Sequence, residues 1–179
     1  MSASMPVAEG YGVAEPAAGT RHVIGIGELA VSDRPGDLIV THALGSCIAV
    51  CLFDPVAGVA AMLHFLLPES RINAERARAQ PAAFADTGIP LLFQSAYRYG
   101  LDKKRTAVTL VGGADIGPRG AASWQIGRRN ALAAKSVLWR NGVLIKAEDI
   151  GGHAARTVHL SVRGGHMHVF RGRDARRDR

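Results

Sequence analysis

The stretch THALGSCIAVCLFDPVAGVAAMLHF, residues 41–65, contains two apolar segments on either side of a turn sequence. Residues 48–53 and 58–65 are short and rich in strand-forming side chains, and the DPVAG sequence between them places proline and glycine where turns use them. This pattern predicts a β-hairpin. Folding it about Val56 brings position 47 opposite position 64 or 65, and a one-residue change of register would move a side chain to the other face.

Cys47 and His64 are the reactive side chains at the open end of this hairpin. A thiol is mostly protonated at neutral pH, and a nearby imidazole can accept its proton and hold the thiolate as an ion pair. Gly45 and Ser46 would allow close backbone approach and leave amide N–H groups for an oxyanion. The spacing therefore indicates a cysteine nucleophile. A purely structural cysteine is the alternative, and Cys51, inside the apolar segment, fits that description.

The size and composition of the chain indicate one globular domain. It has 179 residues, of which 47% are hydrophobic and 21% charged, enough for a sizeable core. We expect a flexible leader over residues 1–20, a single domain over residues 21–171 and a disordered basic tail over residues 172–179. No secretory signal is recognisable, and the two cysteines indicate reduced thiols and a cytoplasmic location.

The net charge of +7 does not by itself indicate a nucleic-acid-binding protein. Part of the excess lies in the arginine-rich tail, which can contact anionic partners. Aromatic residues make up only 6% of the chain, and no stacking motif alternates with the basic residues. We therefore expect no specific nucleic-acid recognition. Because no apolar segment reaches the length of a membrane span, we also expect no membrane insertion.

The elements on either side of the hairpin indicate an α+β fold. One amphipathic helix is predicted after Asp86, and a second over residues 128–140 with Leu132, Val137 and Leu138 facing inward. Hairpins at both ends and only two clear helices favour packed mixed or antiparallel β-sheets flanked by helices, rather than a regular βαβ winding. The further strands are predicted over residues 21–31, 37–41, 106–111, 143–147, 157–162 and 166–170.

Four histidines in the C-terminal part of the chain suggest a second chemistry. His166 and His168 alternate on a predicted strand, and His153 and His159 are close in sequence. Such residues can bind a transition metal. However, the sequence has no HExxH motif, no paired CxxC motif and no obvious carboxylate partner for them. We therefore expect no metal and no other cofactor, with a metal hydrolase as the minor alternative.

An ordered set of motifs resembles the CheD family, the chemoreceptor glutamine deamidases of bacterial and archaeal chemotaxis. The resemblance covers roughly residues 21–171, and no single motif carries it alone. The motifs are Thr41-x-x-Leu44-Gly45-Ser46-Cys47, His64 with Leu67-Pro68, Asp86-Thr87, Gly112-Gly113-Ala114, Ile126-Gly127-x-x-Asn130 and Glu148-Asp149-x-Gly151-Gly152.

The resemblance implies a cysteine hydrolase that acts on glutamine side chains of chemoreceptor cytoplasmic domains. Cys47 would attack the amide carbon, His64 would serve as base and then as acid, and Thr41 would orient His64 as the third member of a triad. The γ-glutamyl thioester would then be hydrolysed to glutamate, and the same acyl-enzyme would serve hydrolysis of receptor glutamyl methyl esters. The implied fold is similar to the catalytic domain of cytotoxic necrotizing factor.

The resemblance also leaves a non-enzymatic alternative. In that interpretation the chain is an adaptation module that binds receptors or a CheC-type phosphatase, and Cys47 is only a buried side chain. The two roles are compatible, because the family also binds CheC-type partners where these are present.

Overall fold

The computed structural model describes residues 7–8, 19–115 and 126–172. The predicted leader, residues 1–20, and the predicted basic tail, residues 172–179, lie almost entirely outside these ranges. Within them the chain forms two five-stranded β-sheets and three α-helices. The predicted α+β fold, with mixed sheets flanked by helices, is confirmed.

The central sheet contains the hairpin and has a helical layer on one face and the second sheet on the other. Its strands are β3 (Glu28–Ser32), β5 (Ile48–Asp54), β6 (Val59–Phe65), β7 (Ala107–Gly112) and β8 (Ile145–Ile150). They lie in the order β3-β6-β5-β7-β8, antiparallel except for the β7–β8 pair. Every residue of β5 and β6 is buried. Because both faces are covered, these strands have continuous apolar sequences instead of alternating ones.

The second sheet, called the outer sheet, packs on the central sheet without intervening helices. Its strands are β1 (Val7–Ala8), β2 (Arg21–Ile24), β4 (Leu38–Leu44), β9 (Arg156–Ser161) and β10 (Met167–Arg171). Their order is β1-β10-β9-β4-β2, with parallel pairing at both ends. Ile39, Leu160 and Met167 of the outer sheet meet Ala49 and Met62 of the central sheet in one apolar cluster. Cys47 and His64 lie at one end of this apolar layer between the two sheets.

Two helices, α2 (Ala85–Tyr97) and α3 (Ile126–Arg140), cover the opposite face of the central sheet. A shorter helix, α1 (Ala74–Ala79), precedes them and has no buried residue. Ile89 and Leu92 of α2 and Leu138 of α3 are buried against Val50 and Leu63 of the hairpin. None of the helices in the described ranges is long and apolar enough to cross a membrane.

Three local predictions outside the hairpin were wrong. The helix predicted after Asp86 begins one residue before it, at Ala85. Residues 21–31 do not form one strand: β2 and β3 belong to different sheets and are joined by a turn that ends at Gly27, whose φ of 74° favours glycine. Leu132 does not face inward, since its side chain is 56% exposed. The inward stripe of α3 consists of Gly127, Asn130, Ala131, Ala134 and Leu138.

Candidate active site

The hairpin register brings Cys47 and His64 to the same face of the central sheet. Ala49 lies directly opposite His64, and Ile48 lies opposite Phe65. Cys47 is thus displaced by two residues from the position opposite His64, so the observed register differs by one residue from the nearer of the two predicted positions, 65. Because side chains alternate with a period of two, this displacement keeps both on the face toward the outer sheet. Such diagonal positions lie about 7–8 Å apart between their Cα atoms.

Thr41 reaches His64 from the outer sheet. Its hydroxyl oxygen lies 2.8 Å from Nδ1 of His64 and 2.8 Å from the carbonyl oxygen of Ile24. The single hydroxyl proton is donated to that carbonyl, which has no proton of its own, so the hydroxyl oxygen must accept from Nδ1–H of His64. The network therefore assigns the neutral imidazole to the Nδ1–H tautomer. Its Nε2 carries a lone pair, and this buried atom has no hydrogen-bond partner within the described ranges.

A bulge in β4 accounts for the path from Thr41 to Cys47. The pairing of β4 with β9 changes register between Thr41 and Leu44, and Ala43 between them has a φ of 55°. This left-handed conformation is strained for a residue with a Cβ, and such conformations often mark functional sites. The bulge lets the chain leave the outer sheet and enter the central one within a few residues. One short segment thereby supplies groups to the site from both sheets.

Burial sets the protonation states of the thiol and the imidazole. It raises the pKa of the Cys47 thiol to about 11, against an opposing effect of the cysteine's own backbone amide. It lowers the pKa of His64 to about 4, and the charge of Glu28, which lies opposite His64 on β3, partly opposes this shift. At neutral pH both groups are therefore uncharged. These shifts favour a neutral thiol beside a neutral imidazole over the ion pair expected from the sequence.

The protonation state of Cys47 can be measured directly. We expect the ultraviolet thiolate absorbance of Cys47 to be absent at pH 7 and to appear only near its pKa of about 11, because burial disfavours the anion. The measurement is a pH titration of the wild-type protein minus that of Cys47→Ala. The subtraction removes Cys51, whose pKa burial raises to about 12. A thiolate band in the difference spectrum at pH 7 would instead show an ion pair with His64.

The loop before Cys47 is fixed through its carbonyl groups. The carbonyl oxygen of Gly45 accepts from the amide of Ala114 at 2.7 Å, and that of Cys47 accepts from the amide of Gly113 at 2.7 Å. The carbonyl oxygen of Ser46 accepts from the Asn130 side chain at 2.9 Å. Because the N–H and C=O of a trans peptide point in opposite directions, the amides of Ser46 and Cys47 point away from these partners.

Gly112 and Gly113 allow a close backbone approach to the cysteine loop. A Cβ added at Gly112 would overlap the carbonyl oxygen of Cys47, and Gly112 and Gly113 have φ values of 117° and 63°. Both positions therefore favour glycine. The segment after β7 thus supports the cysteine loop.

Two residues near the site were not assigned a role from the sequence. Glu28 faces His64 across the β3–β6 pair, and its carboxylate accepts from the amide of Gly25 at 2.7 Å. Asn130 of α3 is fully buried and contacts the cysteine loop. The sequence feature that could have identified Asn130 is its polar side chain within the inward stripe of α3. Glu28 had no such signal, because its pairing with His64 depends on the sheet order.

The acidic residues of the family motif Glu148-Asp149-x-Gly151-Gly152 form ion pairs. Asp149 forms ion pairs with Arg156 at 3.0 Å and Arg171 at 2.8 Å, and Glu148 pairs with Lys135 at 2.7 Å. Within the described residues, no three His, Cys, Asp or Glu side chains are grouped so that they could hold a metal ion.

An open cleft of about 520 Å³ lies beside β2 and β3, and neither Thr41, His64 nor Cys47 is among the residues that line it. Its lining includes Ile24, Glu28 and Gln80. Ile24 supplies the carbonyl that accepts from Thr41, and Glu28 is the residue opposite His64. The cleft therefore shares Ile24 and Glu28 with the surroundings of the Thr41–His64 pair.

The fold and the site together define a class of protein: a three-layer α+β domain in which a threonine hydroxyl holds a buried imidazole on the same sheet face as a cysteine. Comparison with known proteins gives the family. The family model described as CheD chemotactic sensory transduction matches residues 66–171, a segment that begins just after His64. The chain belongs to the CheD family.

Curated relatives of similar length support this assignment. The chain is 47% identical over 149 residues to "Probable chemoreceptor glutamine deamidase CheD 2" of Anaeromyxobacter dehalogenans, covering 83% of this chain and 93% of the relative. It is 42% identical over 147 residues to "Probable chemoreceptor glutamine deamidase CheD 1" of Syntrophus aciditrophicus, covering 82% and 91%. It is 40% identical over 149 residues to "Chemoreceptor glutamine deamidase CheD" of Thermotoga maritima, covering 83% and 90%.

Proposed function

We propose that this protein is a cysteine amidohydrolase that converts glutamine side chains of chemoreceptor cytoplasmic domains to glutamate. Family membership and the names of its relatives support the substrate class. The main observation in support of the chemistry is the buried imidazole of His64. Thr41 fixes its tautomer. Its Nε2, which has no hydrogen-bond partner among the described residues, lies on the same sheet face as Cys47. Acting on receptor cytoplasmic domains would place the enzyme in the cytoplasm, with residues 21–171 as its catalytic domain.

Acylation is the first half of the proposed reaction. The Cys47 sulfur forms a bond to the amide carbon while Nε2 of His64 takes the thiol proton. The imidazolium then returns that proton to the amide nitrogen, the C–N bond breaks and ammonia leaves. Because thiol and imidazole both start uncharged, proton transfer accompanies the attack instead of preceding it.

Deacylation uses the same base. His64 accepts a proton from water, the hydroxyl oxygen attacks the γ-glutamyl thioester, and the C–S bond breaks as the proton returns to sulfur. The product is a glutamate side chain. A glutamyl methyl ester would give the same thioester with methanol as the leaving group, so we include receptor methyl esters among the proposed substrates.

The loop before Cys47 suits the stabilisation of the tetrahedral oxyanion. The carbonyl groups of Gly45 and Ser46 are held by Ala114 and Asn130, so the following amides, those of Ser46 and Cys47, point to the opposite side. We propose that these amides donate to the oxyanion, with Gly45 allowing the close approach of substrate.

The proposed function is tested by incubating the purified protein with a chemoreceptor cytoplasmic fragment. We expect release of ammonia and, by mass spectrometry of the fragment, conversion of particular glutamines to glutamate. A fragment with those glutamines replaced by alanine is the matched control. Absence of conversion together with tight binding to the fragment, or to a CheC-type phosphatase, would contradict the enzyme and support the non-catalytic adaptation module.

The role proposed for Thr41 predicts a difference between two conservative variants. Thr41→Val keeps the shape but removes the acceptor for Nδ1–H, so the imidazole loses its preference for the tautomer with a basic Nε2. We expect kcat to fall roughly 10²-fold. Thr41→Ser keeps the hydroxyl and should stay within about threefold of the wild-type kcat. Steady-state ammonia release measures both, and a wild-type kcat for Thr41→Val would contradict the role.

A further inference from the structure

Asn130 is the polar residue in the inward stripe of α3. It lies in a row with Gly127, Ala131, Ala134 and Leu138, and its exposed fraction is 0%. Burying an amide is unfavourable unless its hydrogen bonds are made. An asparagine in this row therefore requires a local explanation, and the contacts of its side chain supply one.

The amide nitrogen of Asn130 joins the two segments that carry the thiol and the imidazole. Nδ2 donates to the carbonyl oxygen of Ser46 at 2.9 Å and to that of Leu66 at 2.8 Å. Ser46 immediately precedes Cys47, and Leu66 follows His64 by two residues. Both protons of a single NH2 group are thereby used, one on each segment.

The start of α3 is held tightly against the cysteine loop. A Cβ added at Gly127 would overlap the carbonyl oxygen of Gly113, and the amide of Gly113 in turn donates to the carbonyl oxygen of Cys47 at 2.7 Å. The position of the Asn130 side chain is thus fixed by backbone contacts on either side. The Asn130 side chain can therefore hold the segments of Ser46 and Leu66 at a fixed distance from each other.

The oxygen of the same Asn130 carboxamide shows that this residue is not optimised for packing alone. Its Oδ1 is buried and has no hydrogen-bond partner among the described residues, which is a destabilising arrangement. A residue placed only for stability would avoid that cost. What the asparagine does satisfy is the pair of carbonyl groups beside Cys47 and His64.

We propose that Asn130 is a positioning residue that fixes the distance between the Cys47 sulfur and Nε2 of His64 by tying their backbone segments together. It acts through these two residues and does not itself contact the reacting atoms. This inference rests on the proposed cysteine amidohydrolase function, but it also makes a prediction about Cys47 that needs no receptor substrate.

The test compares Asn130→Asp, which keeps the size but cannot donate to both carbonyls, with Asn130→Ser, which is smaller and has one donor. The matched control is Asn141→Ala at the exposed residue directly after α3, where the side chain donates to the carbonyl oxygen of Val137 at 2.8 Å. We expect kcat on a receptor fragment to fall roughly 10²-fold in the two Asn130 variants, as for a displacement of about 1 Å. KM and all parameters of Asn141→Ala should stay within about threefold of wild type.

A second measurement separates this inference from the proposed function. The rate of Cys47 alkylation by iodoacetamide is recorded against pH for the wild type, the Asn130 variants and His64→Ala. We expect the profiles of the Asn130 variants to move toward that of His64→Ala, whether or not a receptor fragment is hydrolysed. The inference would be overturned if a folded Asn130 variant had the same alkylation profile and the same kcat as the wild type. Loss of activity only in parallel with loss of near-ultraviolet circular dichroism would overturn it too, because Asn130 would then serve stability alone.

Discussion

Cys47→Ala is expected to lower the rate of receptor glutamine hydrolysis roughly 10⁴-fold or more. Without the sulfur no thioester can form, and the remaining groups can only bind and polarise the substrate amide. Alanine is close in size to cysteine, and Cys47 is 6% exposed at the edge of the apolar layer between the sheets. We therefore expect the fold to remain intact, and circular dichroism and receptor binding should show this.

Cys51→Ala is the matched control for this prediction. Cys51 lies on the same strand and contributes to the same apolar layer, with an exposed fraction of 0%. Its replacement makes the same chemical change two residues after Ala49, the residue opposite His64. We expect kcat within about threefold of wild type. Full hydrolysis by Cys47→Ala would contradict the thiol mechanism, and equal losses in both variants would indicate a packing effect.

Asp54→Ala is expected to lower the free energy of unfolding by about 3 kcal/mol. The Asp54 carboxylate is 0% exposed and accepts from the amides of Val56 and Ala57 in the hairpin turn at 2.9 and 3.2 Å. It also accepts from the amide of Asp102 and from Nε of Arg105, both at 2.8 Å. Truncation removes the buried acceptor of these amides and of Arg105, and it breaks the link between the turn and the loop before β7.

The pKa of Asp54 agrees with this stabilising role. Burial alone would raise the pKa, but the hydrogen bonds from Arg105 and from the backbone amides outweigh it, so the pKa is lowered below its ordinary value of 3.8. The resulting stabilisation is present above that value and is lost as the pH falls through the lowered folded-state pKa. The effect of Asp54→Ala should therefore be largest at neutral pH.

Asp102→Ala provides the control for this stability prediction. Asp102 contacts the same Arg105 at 3.4 Å, but its side chain is 45% exposed. An exposed pair of this kind contributes little, so we expect a change within about 1 kcal/mol. Urea unfolding at pH 7 measures both variants. Similar midpoints for the two variants would show that burial of Asp54 does not make its interactions stronger.

The sequence was informative wherever an interaction lies within one supersecondary unit. The apolar segments and the turn at residues 54–58 predicted the β5–β6 hairpin, and that hairpin brings Cys47 and His64 to one sheet face. The observed register at Cys47 lies one residue beyond the predicted positions, 64 or 65, because turn composition does not fix which residues pair. Residues 21–31 were assigned to one strand, because nothing in that segment shows that β2 and β3 join different sheets.

Interactions between the layers of the fold could not be predicted from the sequence. The inward stripe of α3 was misplaced at Leu132, since a helix with apolar residues on more than one face does not reveal which face is covered. Thr41 was associated with His64 only through a family resemblance. Spacing along the chain could not give that pair, because Thr41 belongs to the outer sheet and His64 to the central sheet.

The sequence by itself determined the family of this protein, its α+β class and the pairing of the strand after Cys47 with the strand that carries His64. Local patterns and short loops contain that information. Only the tertiary structure decided the imidazole tautomer, the burial that disfavours charge on the thiol and the imidazole, and the Asn130 bridge. These depend on burial and on hydrogen bonds between residues as far apart in the chain as Ser46 and Asn130. Those contacts exist only after two sheets and a helix have packed together.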